Sequence, residues 1–134
     1  MPAIIDVEGI GPKYAEKLKG AGIKTTDKLL KVGATPKGRK ELGEKTGIGH
    51  ELILKWVNHA DLYRIKGVGS EYADLLEAAG VDTIVELAKR VPQNLVDAMA
   101  EVNKKHKVVR RLPVLKEVVK WVNQAKKLPR AVEY

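Results

Sequence analysis

The chain of 134 residues contains no cysteine and no phenylalanine, and its aromatic side chains number two tryptophans and four tyrosines. Without cysteine there are no disulfides, thiolate metal sites or cysteine nucleophiles, and nothing argues for an oxidising compartment. No stretch approaches the ~20 apolar residues of a membrane span, and no basic-flanked apolar run of signal-peptide length opens the chain. A soluble, cytoplasmic protein without membrane contact is the expectation. With 44% hydrophobic residues and so few aromatics, the core must be built from Leu, Val, Ile and Ala. That composition favours helices.

Acidic residues are also scarce towards one end. Residues 1–60 hold 11 Lys/Arg against 7 Asp/Glu, residues 61–101 hold 4 against 8, and residues 102–134 hold 10 against 2. The formal net charge is +8. A basic surface distributed this unevenly suits a polyanionic partner, although solubility alone is an equally ordinary reason for it.

The sequence repeats itself. Residues 9–31, GIGPKYAEKLKGAGIKTTDKLLK, match GVGSEYADLLEAAGVDTIVELAK 58 positions later, with 10 of 23 identical. Lys55 to Ala60, KWVNHA, match KWVNQA at Lys120 to Ala125, now 65 positions later. The second copy therefore holds seven extra residues between these anchors. This predicts an all-α protein of two tandem units, residues 1–60 and 61–134, each of about five short helices.

Local signals place the helices. Pro12 suits a first helical position, where its missing N–H costs nothing, in a helix that runs to about Lys19. Thr25 and Thr35 are good N-caps, the second followed by Pro36, with a helix end near Lys45. Gly47-Ile48-Gly49 opens the next helix, with Leu52, Ile53, Trp56 and Val57 on one stripe. In the second copy, Thr83 and Glu86 form a capping-box pattern for a helix through about Arg90. Pro92 opens a helix to about Asn103, and the basic run Lys104 to Arg111 reads as an inserted loop. Leu112-Pro113-Val114 stands where the first copy has Gly47-Ile48-Gly49, before a last helix to about Lys127. The tail from Pro129 is expected to fray.

The pattern hydrophobic-x-Gly-hydrophobic-Gly-x-x-x-Ala-x-x-Leu occurs at Val7 to Leu18 and again at Ile65 to Leu76. A glycine hairpin opening a helix aims N–H groups and the positive helix end at one point, which suits an anion. The same glycines could serve turn geometry alone. Trp56 and Trp121, at equivalent positions, read as core anchors rather than base-stacking platforms, and Tyr14 and Tyr72 as packing groups. His50, His59 and His106 have no metal-ligand spacing with carboxylates, and Glu71, Asp74 and Glu77 read as a solvated acidic face. No nucleophile triad, phosphate-binding loop, metal motif or cofactor motif is visible, so no enzyme activity, cofactor or metal is expected.

These stretches resemble the helix-hairpin-helix motif. Residues 4–60, through VEGIGPKYAEKLKGAGIKTTDKLL and KTGIGHELILKWVNHA, resemble the paired-hairpin domains of DNA-repair proteins and of archaeal recombinase N-termini. About residues 3–127 also resemble a bacterial family catalogued as a domain of unknown function with helix-hairpin-helix repeats. The resemblance implies phosphate contacts from hairpin amides and a following basic side chain, without base reading. It implicates Gly9, Ile10, Gly11 and Lys13, with Lys17 one turn on. The second hairpin adds Gly47, Ile48, Gly49 and His50 with Lys45 nearby, whereas Gly67-Val68-Gly69, followed by Ser70, Glu71 and Asp74, reads as structural.

The basic run reads equally as a solvated, flexible loop or, through Lys104, Lys105, Lys107, Arg110 and Arg111, as a second surface that contacts backbone and not bases. The expected function is non-catalytic, sequence-independent binding of nucleic acid, duplex DNA before RNA. The alternative is a protein-interaction module that keeps the fold for its compactness.

Overall fold

The computed structural model describes residues 3–7 and 9–134, and the described residues are all-helical. After a 3-10 turn, Ile4–Asp6, come eight helices: α1 (Pro12–Gly20), α2 (Thr26–Val32), α3 (Pro36–Thr46), α4 (His50–Leu62), α5 (Ser70–Ala78), α6 (Ile84–Ala88), α7 (Pro92–His106) and α8 (Leu115–Lys127). Counting the 3-10 turn, the first unit has the five helical pieces expected, and the second has four besides the end of α4. In the first, Val7 N–H donates to Ile4 O within the 3-10 turn; in the second, the matching bond, Ile65 N–H to Leu62 O, is made by the end of α4. Glu8, which precedes the first hairpin, lies outside the described residues.

The caps form where the sequence puts them. Thr25 Oγ1 accepts from Lys28 N–H at 3.2 Å and Thr35 Oγ1 from Gly38 N–H at 3.1 Å. Pro12, Pro36 and Pro92 open α1, α3 and α7. Thr83 departs from the capping-box expectation. Its hydroxyl donates to Glu86 Oε1 at 3.3 Å and caps no backbone N–H, and α6 stops at Ala88 rather than near Arg90.

The chain divides into two compact units, one running to Asp61 and including Ala131–Tyr134, the other spanning Leu62–Arg130. The tail from Pro129, expected to fray, is instead held in place. Glu133 N–H donates to Ala34 O at 2.7 Å, Tyr134 OH donates to Asn58 Oδ1 at 2.9 Å, and Val132 is buried. Beneath it Arg39 is only 2% exposed and donates to Gly33 O at 2.8 Å and Glu133 O at 2.7 Å. Burial lowers the pKa of this guanidinium, with Tyr134 opposing the shift. A buried charge needs such partners, so the tail belongs to the first unit.

In the first unit Ile4, Leu18, Ile23, Leu29, Ile53 and Trp56 are among the fully buried side chains. The second unit gathers Leu62, Leu75, Leu76, Ile84, Leu87, Leu95, Val118 and Trp121 into one cluster. Both tryptophans are core anchors, as their positions predict, each against a tyrosine: Tyr14–Trp56 centroids lie 5.2 Å apart and Tyr72–Trp121 5.3 Å.

The seven-residue excess is not one insertion. Helix α6 has two residues fewer than α2, α7 has four more than α3, and the connection into α8 has five more than that into α4. Lys104 and Lys105 therefore stand in the last turn of α7, not in a loop.

Candidate nucleic-acid interface

At the first hairpin Gly9 has φ +89, a conformation side chains resist, and an added Cβ would lie 3.5 Å from Trp56 Nε1. Ile10 points inward, 4% exposed, and its N–H donates to Val7 O at 3.0 Å. Gly11 is the N-cap of α1 in extended conformation and offers no side-chain acceptor, while Pro12 has no N–H. Among the described residues no side chain caps the remaining first-turn N–H groups of this nine-residue helix, which suits them to an anion from outside. Lys13 and Lys17 are exposed beside them. Trp56 Nε1 is buried and has no hydrogen-bond partner.

The second hairpin is built differently. Gly47 is the left-handed C-cap of α3, with φ 74, and its N–H donates to Gly43 O at 2.8 Å. Thr46 Oγ1 donates to Leu42 O at 2.8 Å and accepts from Ile48 N–H at 3.2 Å. Ile48 is buried, and Gly49 and His50 are exposed where α4 begins. The ends of α1 and α3 enclose an open pocket of about 460 Å³ lined by Lys17, Gly20, Ala21, Lys45 and Thr46. Two lysines that the sequence offers 28 positions apart thus line one pocket.

This arrangement revises two residues. Ile10 and Ile48, expected to give backbone amides to phosphate, hold those amides in internal bonds and their side chains in the core. Both residues fix their hairpins from within, and the glycines and lysines around them stay exposed.

The third hairpin repeats the first in backbone geometry. Gly67 has φ +99, an added Cβ would meet Trp121 Nε1 at 3.1 Å, and Val68 N–H donates to Ile65 O at 3.1 Å. The Gln124 side chain clasps the hairpin, accepting from Lys66 N–H at 2.9 Å and donating to Lys66 O at 3.3 Å. A pocket of about 350 Å³ beside it is lined by Lys66, Gly67, Glu117, Lys120, Trp121 and Gln124. Sequence reasoning missed this pocket, because Lys66 and Lys120 belong to no common motif.

The basic run is an ordered connection. Lys107 ends α7 in the left-handed conformation, φ 47, where the first unit has Gly47. Asn103 clasps Val109, its Nδ2 donating to Val109 O at 3.1 Å and its Oδ1 accepting from Val109 N–H at 2.9 Å. Tyr72 OH donates to Arg111 O at 3.0 Å. Arg111 makes a bidentate pair with Glu117, both contacts at 3.0 Å. The Arg111 hydrogen bonds hold the Glu117 carboxyl below its usual pKa, and Glu117 raises that of Arg111. Arg111 is therefore paired with a carboxylate while remaining exposed, as Lys104, Lys105, Lys107 and Arg110 are.

Fold and site together define an all-α protein in which four of the seven connections between helices turn on positive-φ glycines. The chain belongs to the family described as Domain of unknown function (DUF4332), which it matches over residues 8–128. No curated protein and no solved structure matches it. Among the described residues, no helix is long and apolar enough to cross a membrane.

Proposed function

We propose that this chain is a tandem helix-hairpin-helix protein of the cytoplasm, and that its first unit binds nucleic acid without catalysis and without reading sequence, preferring duplex DNA. The observation that carries the reading is the convergence of Lys17 and Lys45 on one open pocket, beside the glycine hairpin that opens α4. The uncapped start of α1 with Lys13 supplies a second cluster of donors. Such donors grip phosphates and are indifferent to base identity, so affinity comes with little specificity. Lys104, Lys105, Lys107 and Arg110 add long-range attraction in the second unit, while Arg111 contributes little because Glu117 pairs it.

Neutralising about four to six phosphates would give log affinity a slope against log salt of roughly −4 to −5, with dissociation constants on the order of micromolar. The test is fluorescence anisotropy of labelled duplex DNA with the wild-type chain and with Gly11→Asp/Lys13→Glu, at two salt concentrations. Salt-sensitive binding that the double change removes supports the reading. Absence of binding at low salt, or strong preference among sequences, sinks it.

A further inference from the structure

The second unit places four aliphatic side chains in water within a short stretch. Leu112 is 37% exposed, Val114 55%, Leu115 42% and Val119 37%. Single exposed aliphatics are ordinary on protein surfaces, but a group of four is not. In α8, Val118, Trp121, Val122 and Ala125 face the core. Leu115 and Val119, one turn apart, extend that apolar arc beyond what the fold covers.

The corresponding residues of the first unit give this patch its meaning. Pro113 is buried as Ile48 is, so the inward anchor of the hairpin is kept. Beside it Gly49 and His50 are replaced by Val114 and Leu115, and Leu112 precedes it in the longer connection. Glycine lets an anion approach the backbone, whereas leucine and valine block that approach and offer an anion nothing. The surface has exchanged polar contact for apolar contact.

Its rim is basic. Lys116, Lys120 and Lys126 of α8 are exposed, as is Arg110 before it, and Glu117 is committed to Arg111. Like charges would oppose a second copy of the chain on this face. We propose that the face formed by Leu112, Val114, Leu115 and Val119 docks an acidic amphipathic helix of a protein partner. An apolar stripe on that helix would cover the four aliphatics, and its flanking carboxylates would meet Lys116 and Lys120. The inference rests on exposed aliphatics and a basic rim, not on the nucleic-acid reading, and stands if that reading fails.

The test titrates the full ¹⁵N-labelled chain with a synthetic helical peptide of about 20 residues, leucines at i, i+3, i+4 and i+7 and glutamates elsewhere. The comparison probes are a scrambled peptide of the same composition, a version with lysine for glutamate, phosphatidylglycerol vesicles and duplex DNA. The acidic amphipathic peptide should shift the amide signals of residues 112–119 and bind about ten-fold tighter than the scrambled one. Leu115→Ser/Val119→Ser should remove that advantage, and Lys116→Glu/Lys120→Glu, which spares every apolar contact, should weaken the same peptide. All four side chains are exposed, and an unchanged thermal midpoint verifies folding. No shift with the acidic peptide, equal binding of the scrambled or lysine version, stronger response of these amides to vesicles or DNA, or burial of the patch by self-association would each overturn the proposal.

Discussion

The hairpins at Gly9 and Gly67 are nearly superimposable in their torsions and opposite in their chemistry. The N-caps Gly11 and Gly69 are both extended, Ala15 and Ala73 N–H donate to them at the same 2.9 Å, and Gly22 and Gly80 end the following helices at φ 86 and 94. Yet one hairpin leads into Pro12-Lys13 and the other into Ser70-Glu71. Glycine, tryptophan and tyrosine build this turn for packing reasons, so hairpin geometry alone does not mark a phosphate site. Under the proposed function, the residue after the turn decides what it can hold.

The largest test of that comparison removes its common scaffold. Trp56→Ala and Trp121→Ala should each cost about 3–5 kcal/mol, because each deletes a buried indole and leaves a cavity. Chemical denaturation of the two variants measures this. A loss below about 1 kcal/mol at either position would break the claim that both turns rest on their tryptophans.

Next in size is backbone strain. Gly9→Ala and Gly67→Ala should each cost about 1–2 kcal/mol, because both positions have strongly positive φ. The loss at Gly67 should be the larger, since the added Cβ would sit 3.1 Å from Trp121 Nε1 against 3.5 Å at Trp56. Thermal unfolding of the pair decides the order, and the reverse order would contradict the packing described.

A charge exchange then sharpens the functional half of the comparison. Lys13→Ala should weaken binding to all duplex sequences alike and make the salt slope shallower by about 1. Glu71→Lys, which gives the third hairpin the residue of the first, should strengthen DNA binding and steepen the slope by a similar amount. If Glu71→Lys has no effect, the following residue is not what separates the two hairpins.

Much of the fold was legible because short-range chemistry dictates it. Thr25, Thr35 and the three helix-opening prolines act through neighbours within a turn, and sequence displays such neighbours directly. Arg39 was not legible: among 25 basic residues nothing singles it out, and one of its acceptors is Glu133 O, 94 positions away. The tail looked free for the same reason. Lys17 and Lys45 were each candidates, but their shared pocket depends on how α1 and α3 pack. The seven-residue excess was seen as a single loop because two losses in α6 partly offset four gains in α7, and an ungapped comparison shows only the net difference.

The smallest effect concerns Glu117, which gives the last connection an ion pair and stands where the first unit has Leu52, a side chain with no carboxylate. Its carboxyl is held below the usual carboxylate range, first by the Arg111 hydrogen bonds and then by Val114 N–H, which donates at 3.1 Å. A depressed folded-state pKa contributes stability that is complete above the unfolded value and is lost as pH falls through the folded one. The raised pKa of Arg111 works at the opposite end, its contribution failing only far into alkali. The latch should therefore stay shut through neutral and mildly acid solution and open only below the ordinary carboxylate range. Following the Glu117 carboxyl carbon by NMR tests this: a midpoint at or above the ordinary glutamate value would contradict the pairing. Glu117→Gln should leave the global stability almost unchanged, since the pair is exposed, while loosening residues 110–114 and removing their acid transition. If those residues keep the transition in the variant, another group closes the latch and the difference between the two connections lies elsewhere.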